Sequence, residues 1–255
     1  MISTYSDHGM EAAVPFDKAY DETLQALLER LTKVETQSTT DEDRGERMFW
    51  AARRMRYALG YLTGPFRWSL RTLLKMLSKS YREKEKHAVW KKKEQVFVQA
   101  SGSFAHIYLT VSKDRMNLSG IQKRYPNLIK GLKVHPGIGF MVVKTKKGLK
   151  IIGWDGEFNI NGHVSKKGKD FLKKFGNTKL LLEQIGDLGN RKNVGDIMIF
   201  GNFHYGKIIS FSDHYACHGG VSKKMNSPFF ISKQGFDLRD SKSSSSVYEV
   251  FKTYL

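Results

Sequence analysis

Asp7, His8 and His218 are the residues whose types and positions best fit metal-binding chemistry. Asp7 and His8 stand in Asp7-His8-Gly9, directly after a short β-type run that begins at Ile2. The chain turns at the end of a strand, so both side chains can converge there, at the edge where open α/β sheets place their sites. A carboxylate beside an imidazole is a common ligand pair for zinc or manganese. His218, in Cys217-His218-Gly219-Gly220, supplies a candidate ligand far along the chain.

Each motif taken alone also fits a structural role. Asp-His-Gly is a common turn composition, and one isolated histidine is weak evidence for a metal site. Cys217 beside His218 could be a thiolate ligand, or a small residue packed under a loop. The interpretation therefore depends on the order in which the motifs follow one another.

The order of these motifs, together with the stretch between them, resembles a known family. The sequence is similar to the carboxyl-terminal part of type I phosphodiesterase and nucleotide pyrophosphatase-like proteins. The similarity lies in the stretch VFVQASGSFAHIYLTVSKDRMNLSGIQKRYPNLIKGLKVHPGIGF (96–140), and then in Gly195–Ile199, Phe211, Cys217–Gly220 and Ser227–Ile231. These proteins belong to the alkaline phosphatase superfamily. The resemblance covers most of residues 1–10 and 94–238. Each of its motifs alone is weak evidence for the family.

The resemblance implies a role for each candidate ligand. Proteins of this family hydrolyse phosphate esters with two divalent ions, zinc or manganese, that activate a Thr or Ser nucleophile and clamp the phosphoryl oxygens. Asp7 and His8 match the pair that binds the nucleophile-side metal, and His218 matches a late histidine on the other metal. Cys217 stands where the family usually has Ser or Ala. No role carries over to His214.

The resemblance also implies that half of the site is missing from this sequence. The family's first metal-binding Asp, its nucleophile and its Asp-x-x-x-His pair all precede Asp-His-Gly, whereas this sequence starts six residues before Asp7. Three ligands shared between two ions cannot build the complete clamp. We therefore expect a partial hydrolase that is inactive alone, whose partners are an N-terminal half or upstream polypeptide and a phosphate-ester substrate.

The composition fits one sizeable domain with a strongly basic surface. The 255 residues are 40% hydrophobic, and 43 Lys and Arg against 25 Asp and Glu give a net charge of +18. Such a charge attracts phosphorylated ligands, nucleic acid and anionic lipid without choosing among them. A single cysteine excludes an intrachain disulfide and favours a cytoplasmic protein, and association with a membrane surface stays open.

The hydrophobic pattern predicts an α/β protein, the carboxyl-terminal part of an alkaline-phosphatase-like mixed sheet, in four segments. Residues 1–40 hold a strand and one helix through Phe16 and Leu31, followed by a polar linker at 36–43. Residues 41–95 form a basic helical insert. Residues 96–238 complete the core, and residues 239–255 are a flexible tail in which a short helix or strand follows the polar run DSKSSSS. In 96–238 the pattern predicts strands at 96–100, 106–111, 139–143, 149–153, 196–200 and 207–211, and helices at 118–130 and 168–188.

The basic insert admits three interpretations. Residues 44–95 contain 15 Lys and Arg against 4 Glu, with apolar residues at helical spacing on both sides of Gly64-Pro65. The insert can pack its apolar face on the core and leave a solvated basic face. Alternatively, it can lie on anionic lipid or bind nucleic acid, which would make the chain a non-catalytic polyanion-binding module.

Overall fold

The computed structural model describes residues 3–6, 8–40, 96–232 and 244–253, and in this part the chain is a mixed α/β protein. The strands are β1 (Ser3–Tyr5), β2 (Glu11–Pro15), β3 (Thr36–Thr40), β4 (Val96–Ser101), β5 (Phe104–Leu109), β6 (Ile138–Thr145), β7 (Gly148–Gly153), β8 (Gly156–Ile160), β9 (Val164–Gly168), β10 (Ile197–Gly201), β11 (Phe203–His204), β12 (Lys207–Ser210), β13 (Ala216–Cys217) and β14 (Phe230–Ser232). The helices are α1 (Phe16–Tyr20), α2 (Leu24–Thr32), α3 (Leu118–Arg124), α4 (Leu128–Val134), α5 (Thr178–Gly189) and α6 (Ser244–Lys252), with a 3-10 helix at Phe171–Lys174.

An eight-stranded sheet in the order β3-β4-β5-β10-β6-β7-β8-β9 forms the body of the described chain. Only β3 and β4 run parallel, and every other neighbouring pair is antiparallel. The central strand β10, with the sequence IMIFG, is buried at all five residues because helices cover both faces of the sheet there. Strand β4 instead alternates buried Val96, Val98 and Ala100 with more exposed residues, as expected nearer the edge.

Helices cover the two faces of this sheet and form two hydrophobic clusters. Helices α1 to α4 pack on one face, and α5 with the 3-10 helix packs on the other. Helix α2 buries Leu24, Leu27 and Leu28 at helical spacing, and its N-cap Thr23 accepts a hydrogen bond from the Ala26 N–H at 3.1 Å. Asn177 caps α5 in the same way, through the Leu180 N–H.

The six strands predicted between residues 96 and 211 are all present, with ends shifted by one or two residues. Three predicted helices, the one through Phe16 and Leu31 and those at 118–130 and 168–188, are each divided in two. The expected helix through Phe16 and Leu31 breaks at Asp21, which adopts a left-handed φ of 53°. The helix expected at 118–130 ends at Arg124, because Pro126 disfavours the helical conformation of the residue before it. In the stretch 168–188, the 3-10 helix precedes α5.

The prediction of a polar linker at 36–43 is wrong for its first five residues. Thr36–Thr40 forms β3, which pairs residue by residue with Val96–Ala100 of β4. Polar, β-branched threonines suit an edge strand, and pairing with β4 supplies hydrogen bonds that the local sequence does not reveal. Strand β2, the hairpin β8–β9 and the short strands β13 and β14 were likewise not predicted.

Two small sheets stand beside the main sheet and position the candidate ligands. The first has the order β11-β12-β2-β13, with β2 parallel to β12 and antiparallel to β13. The second pairs β1 with β14 over three residues. Helix α6 begins at Ser244, inside the polar run of the predicted tail. The basic insert at 44–95 lies outside the described residues.

Candidate metal centre

The loop from Ser6 to Met10 joins β1 to β2, and backbone hydrogen bonds attach it to a distant segment of the chain. The Ser6 N–H donates to the Phe229 carbonyl at 3.0 Å, and the Phe229 N–H donates to Ser6 Oγ at 2.9 Å. The Gly9 N–H donates to the Met225 carbonyl at 3.0 Å. These bonds hold His8 beside the segment that follows His218.

Gly9 has a specific steric role in this loop. A Cβ atom at residue 9 would lie 1.9 Å from the carbonyl oxygen of Lys224 and 3.1 Å from that of Ser227. No side chain fits between backbone segments this close, so the third residue of Asp-His-Gly must be glycine. The glycine thus explains how the loop approaches the 224–227 backbone so closely.

His218 reaches the same place from the other end of the chain. It directly follows β13, in which Cys217 pairs with Glu11 of β2, so His218 lies near the start of β2. Gly219 follows with a left-handed φ of 71°, which turns the chain away from the strand. The pairing of β13 with β2 therefore brings together two histidines that lie 210 positions apart.

The His8 and His218 rings stack on each other. Their centroids are 4.1 Å apart and their planes are inclined by 4°. Asp7, the third predicted ligand, lies outside the described residues. Among the residues that the structure describes, no group of three or more His, Cys, Asp or Glu side chains could hold a metal ion. The structure thus juxtaposes the two predicted histidines, and the part of the chain that it describes holds no complete ligand set around them.

The hydrogen bond of His8 selects its tautomer. His8 Nδ1 lies 3.0 Å from the Gly9 carbonyl oxygen, which can only accept, so Nδ1 carries the proton. In the neutral imidazole the lone pair is then on Nε2. A ring nitrogen that donates to a backbone carbonyl while the other nitrogen keeps its lone pair is the usual arrangement of a metal-ligating histidine.

The parallel rings limit how the two histidines could bind metal. An imidazole coordinates through a lone pair in the ring plane, and the lone pairs of two parallel rings cannot converge on a single ion. In this arrangement the two imidazoles therefore do not present their lone pairs to one shared ion.

The groups next to the pair serve structural roles. Cys217 is buried, and burial raises the pKa of its thiol, which favours the packing role over a thiolate ligand. Glu11 is also buried, and Lys224 Nζ lies 3.0 Å from its Oε1. The sequence did not point to this ion pair, because nothing along the chain links residue 11 to residue 224.

Several other histidines make hydrogen bonds or ring contacts within the fold. His106 Nδ1 accepts from the Gly195 N–H at 3.2 Å, as expected for a structural histidine. His135 Nδ1 accepts from the Gly137 N–H at 3.1 Å, and its ring stacks on Phe16. Burial lowers the pKa of both imidazoles.

Comparison of the chain with protein-family models, with curated proteins and with solved structures finds no match. No helix in the described part of the chain is both long and apolar enough to cross a bilayer.

Proposed function

We propose that His8 and His218 are ligands of two divalent metal ions in a phosphate-ester hydrolase site. The observation that supports this proposal is the stacking of these two histidines, whose centroids are 4.1 Å apart although they lie 210 positions apart in sequence. In the proposal, His8 binds the nucleophile-side ion together with Asp7, and His218 binds the other ion. The mixed sheet is then the carboxyl-terminal part of an alkaline-phosphatase-like architecture.

Zinc or manganese bound there would polarise a phosphoryl oxygen and activate a nucleophile. The chain's own contribution is to orient the ligands. The Gly9 carbonyl accepts a hydrogen bond from His8 Nδ1 and orients the ring in the neutral tautomer whose lone pair is on Nε2. The bonds from Ser6 and Gly9 to the 225–229 segment hold that ring against His218. Glu11 and Lys224 join β2 to the same segment.

In this proposal the nucleophile and the remaining ligands come from a polypeptide segment outside the described residues. An upstream polypeptide or N-terminal half is the proposed partner, and a phosphate ester is the proposed substrate. The chain by itself then binds metal weakly and does not catalyse hydrolysis, because loss of a covalent nucleophile removes several orders of magnitude of rate.

Calorimetric titration of the purified chain with zinc and with manganese tests the ligand assignment. We expect weak binding that decreases at least tenfold in His8→Ala and in His218→Ala, as expected when a ligand is lost. His163→Ala is the matched control, because His163 is an exposed histidine in the turn between β8 and β9. Equal affinities for the wild type and both site variants would contradict the assignment.

A hydrolysis assay tests the claim that the site is incomplete. Bis(4-nitrophenyl) phosphate with added zinc or manganese should not be turned over by the purified chain. Metal-dependent turnover that disappears in His218→Ala would show that a nucleophile is already present, and it would overturn this part of the proposal while leaving the ligand assignment intact.

A further inference from the structure

Trp154 is a large apolar side chain that the fold leaves in solvent. It lies with Asp155 in the two-residue turn between β7 and β8, and 64% of its surface is exposed. Both neighbouring strands contribute residues to the core, such as Ile151 and Phe158, whereas the indole ring of Trp154 is largely excluded from it. A tryptophan in this position contributes little to folding and offers a flat surface on which a ligand can stack.

A pocket of about 300 Å³ opens beside this tryptophan. Trp154, His135, Lys174 and Asn202 contribute to its wall. The Asn202 side chain is fixed, because its Nδ2 donates to the Pro136 carbonyl at 2.9 Å and its Oδ1 accepts from Lys174 Nζ at 2.7 Å and from the Phe203 N–H at 2.9 Å. The pocket therefore combines an aromatic face with polar groups whose positions are already set by hydrogen bonds.

Positive charge surrounds the same turn. The Lys169 N–H donates to the Asp155 carbonyl at 3.1 Å, so the backbone of a lysine-rich segment lies directly against the turn. Among the described residues that line the pocket, Asp155 is the only carboxylate, and Lys169 Nζ lies 3.6 Å from it. Five lysines lie within nine residues of this segment: Lys166, Lys167, Lys169, Lys173 and Lys174.

We infer that this surface, formed by Trp154, Lys169, Lys173, Lys174 and Asn202, binds single-stranded nucleic acid. A base stacks on the Trp154 ring, and backbone phosphates contact the lysines. An exposed aromatic ring beside a row of cations is the combination that single strands require, because every base has a face that stacks and every nucleotide carries a negative charge. A flat anionic bilayer would use the lysines without filling the pocket. None of these residues belongs to the proposed metal site, so the two proposals are independent.

Titration of the full chain with a twelve-nucleotide oligo(dT) tests this inference by tryptophan fluorescence and by the anisotropy of a labelled strand. We expect quenching at low salt, with affinity that falls steeply as salt is raised to physiological concentration. The sequence has four tryptophans, so Trp154→Phe identifies the quenched one. Trp154→Ala should weaken binding roughly 5- to 150-fold, the range for loss of one stacked base. Tyr248→Ala, which removes a ring that is 60% exposed on α6, should leave binding unchanged.

Two double variants distinguish the contribution of the local lysines to binding from the contribution of the overall net charge. Lys169→Met with Lys173→Met should weaken binding, whereas Lys123→Met with Lys130→Met should have little effect. The second pair removes the same charge from exposed positions of α3 and α4, which cover the opposite face of the sheet. Equal losses in the two double variants would overturn the inference in favour of non-specific attraction.

Three other outcomes would also overturn it: no binding at low salt, unchanged affinity in Trp154→Ala, or inorganic polyphosphate binding as tightly as the oligonucleotide. Vesicles of phosphatidylcholine and phosphatidylserine distinguish the membrane alternative. Vesicle binding that shifts the Trp154 emission while oligo(dT) does not bind would assign the surface to lipid and not to nucleic acid.

Discussion

The eight-stranded sheet and the small sheets that carry His8 and His218 are stabilised in different ways. In the large sheet, β10 is paired on both sides and buried throughout, and Phe140 stacks on Phe200 at 4.4 Å. Near the histidines, β13 has two residues, β1 has three, and the connecting loops are held mainly by individual hydrogen bonds. Extensive burial therefore stabilises the first region, whereas a small buried cluster and a few specific contacts position the second. We expect the second region to open independently of the first.

Phe140→Ala should have the largest effect on global stability. Its ring is 1% exposed and contacts Phe171, Phe175 and Phe200, so truncation leaves a cavity and should lower the free energy of unfolding by about 3–5 kcal/mol. Urea unfolding followed by circular dichroism measures this loss. Phe229→Ala is the control, because this ring is 56% exposed beside the candidate site, and it should cost less than about 0.5 kcal/mol. Similar losses for both variants would contradict the contrast between the regions.

Gly9→Ala should disturb the candidate site more than the large sheet. The added Cβ would overlap the Lys224 carbonyl, and such overpacking typically costs about 1–3 kcal/mol. Amide hydrogen exchange should accelerate at residues 225–229 and stay slow in β10. Gly186→Ala in α5 is the control, because its Cβ would meet only Ile160 Cδ1 at 3.9 Å, and alanine suits a helix better than glycine. Uniform acceleration of exchange across both regions would show that they are one cooperative unit.

Lys224→Met should destabilise the small sheet by removing the partner of a buried carboxylate. The Glu11 side chain is 5% exposed, whereas that of Lys224 is 72% exposed, so solvent weakens the pair and we expect a loss of about 1–2 kcal/mol. The double variant Glu11→Gln with Lys224→Met should recover part of that loss, because no buried charge remains. A double variant less stable than Lys224→Met alone would contradict this explanation.

Acidification should produce the smallest decrease in the free energy of unfolding, and this decrease should arise in the large sheet. Burial, followed by the charge of Arg115, lowers the pKa of His106, and burial lowers the pKa of His135. Because these imidazoles take up protons more readily in the unfolded chain, stability is complete above the ordinary histidine pKa of about 6.5 and falls as pH drops through the folded-state pKa. Denaturant unfolding at pH 7.5 and pH 5.5 should show this decrease, and His106→Gln should reduce it. His163→Gln, at an exposed site, should leave it unchanged.

Five of the eight strands of the large sheet, β4, β5, β6, β7 and β10, could be predicted because their signal is local. Apolar runs such as Ile197–Phe200 must be buried, and a turn such as Lys146-Lys147-Gly148 separates two strands whatever the rest of the chain does. Thr36–Thr40 was missed because its polar residues form a strand only when β4 lies beside them. Glu11 and Lys224 were missed for the same reason, since the ion pair exists only after β2 and the 224–227 segment have been brought together.

The sequence by itself determined the α/β class and most strands of the large sheet, because these depend on side-chain type and short-range periodicity, which the sequence displays directly. It offered Asp7, His8 and His218 as candidate ligands only through the order of their motifs and the resemblance to a known family. Only the tertiary structure decided that the His8 and His218 rings stack at 4.1 Å, that Gly9 must be small, and that Trp154 stands in solvent beside a pocket. These features arise from pairings between segments far apart in the chain, and such pairings depend on the packing of the whole fold.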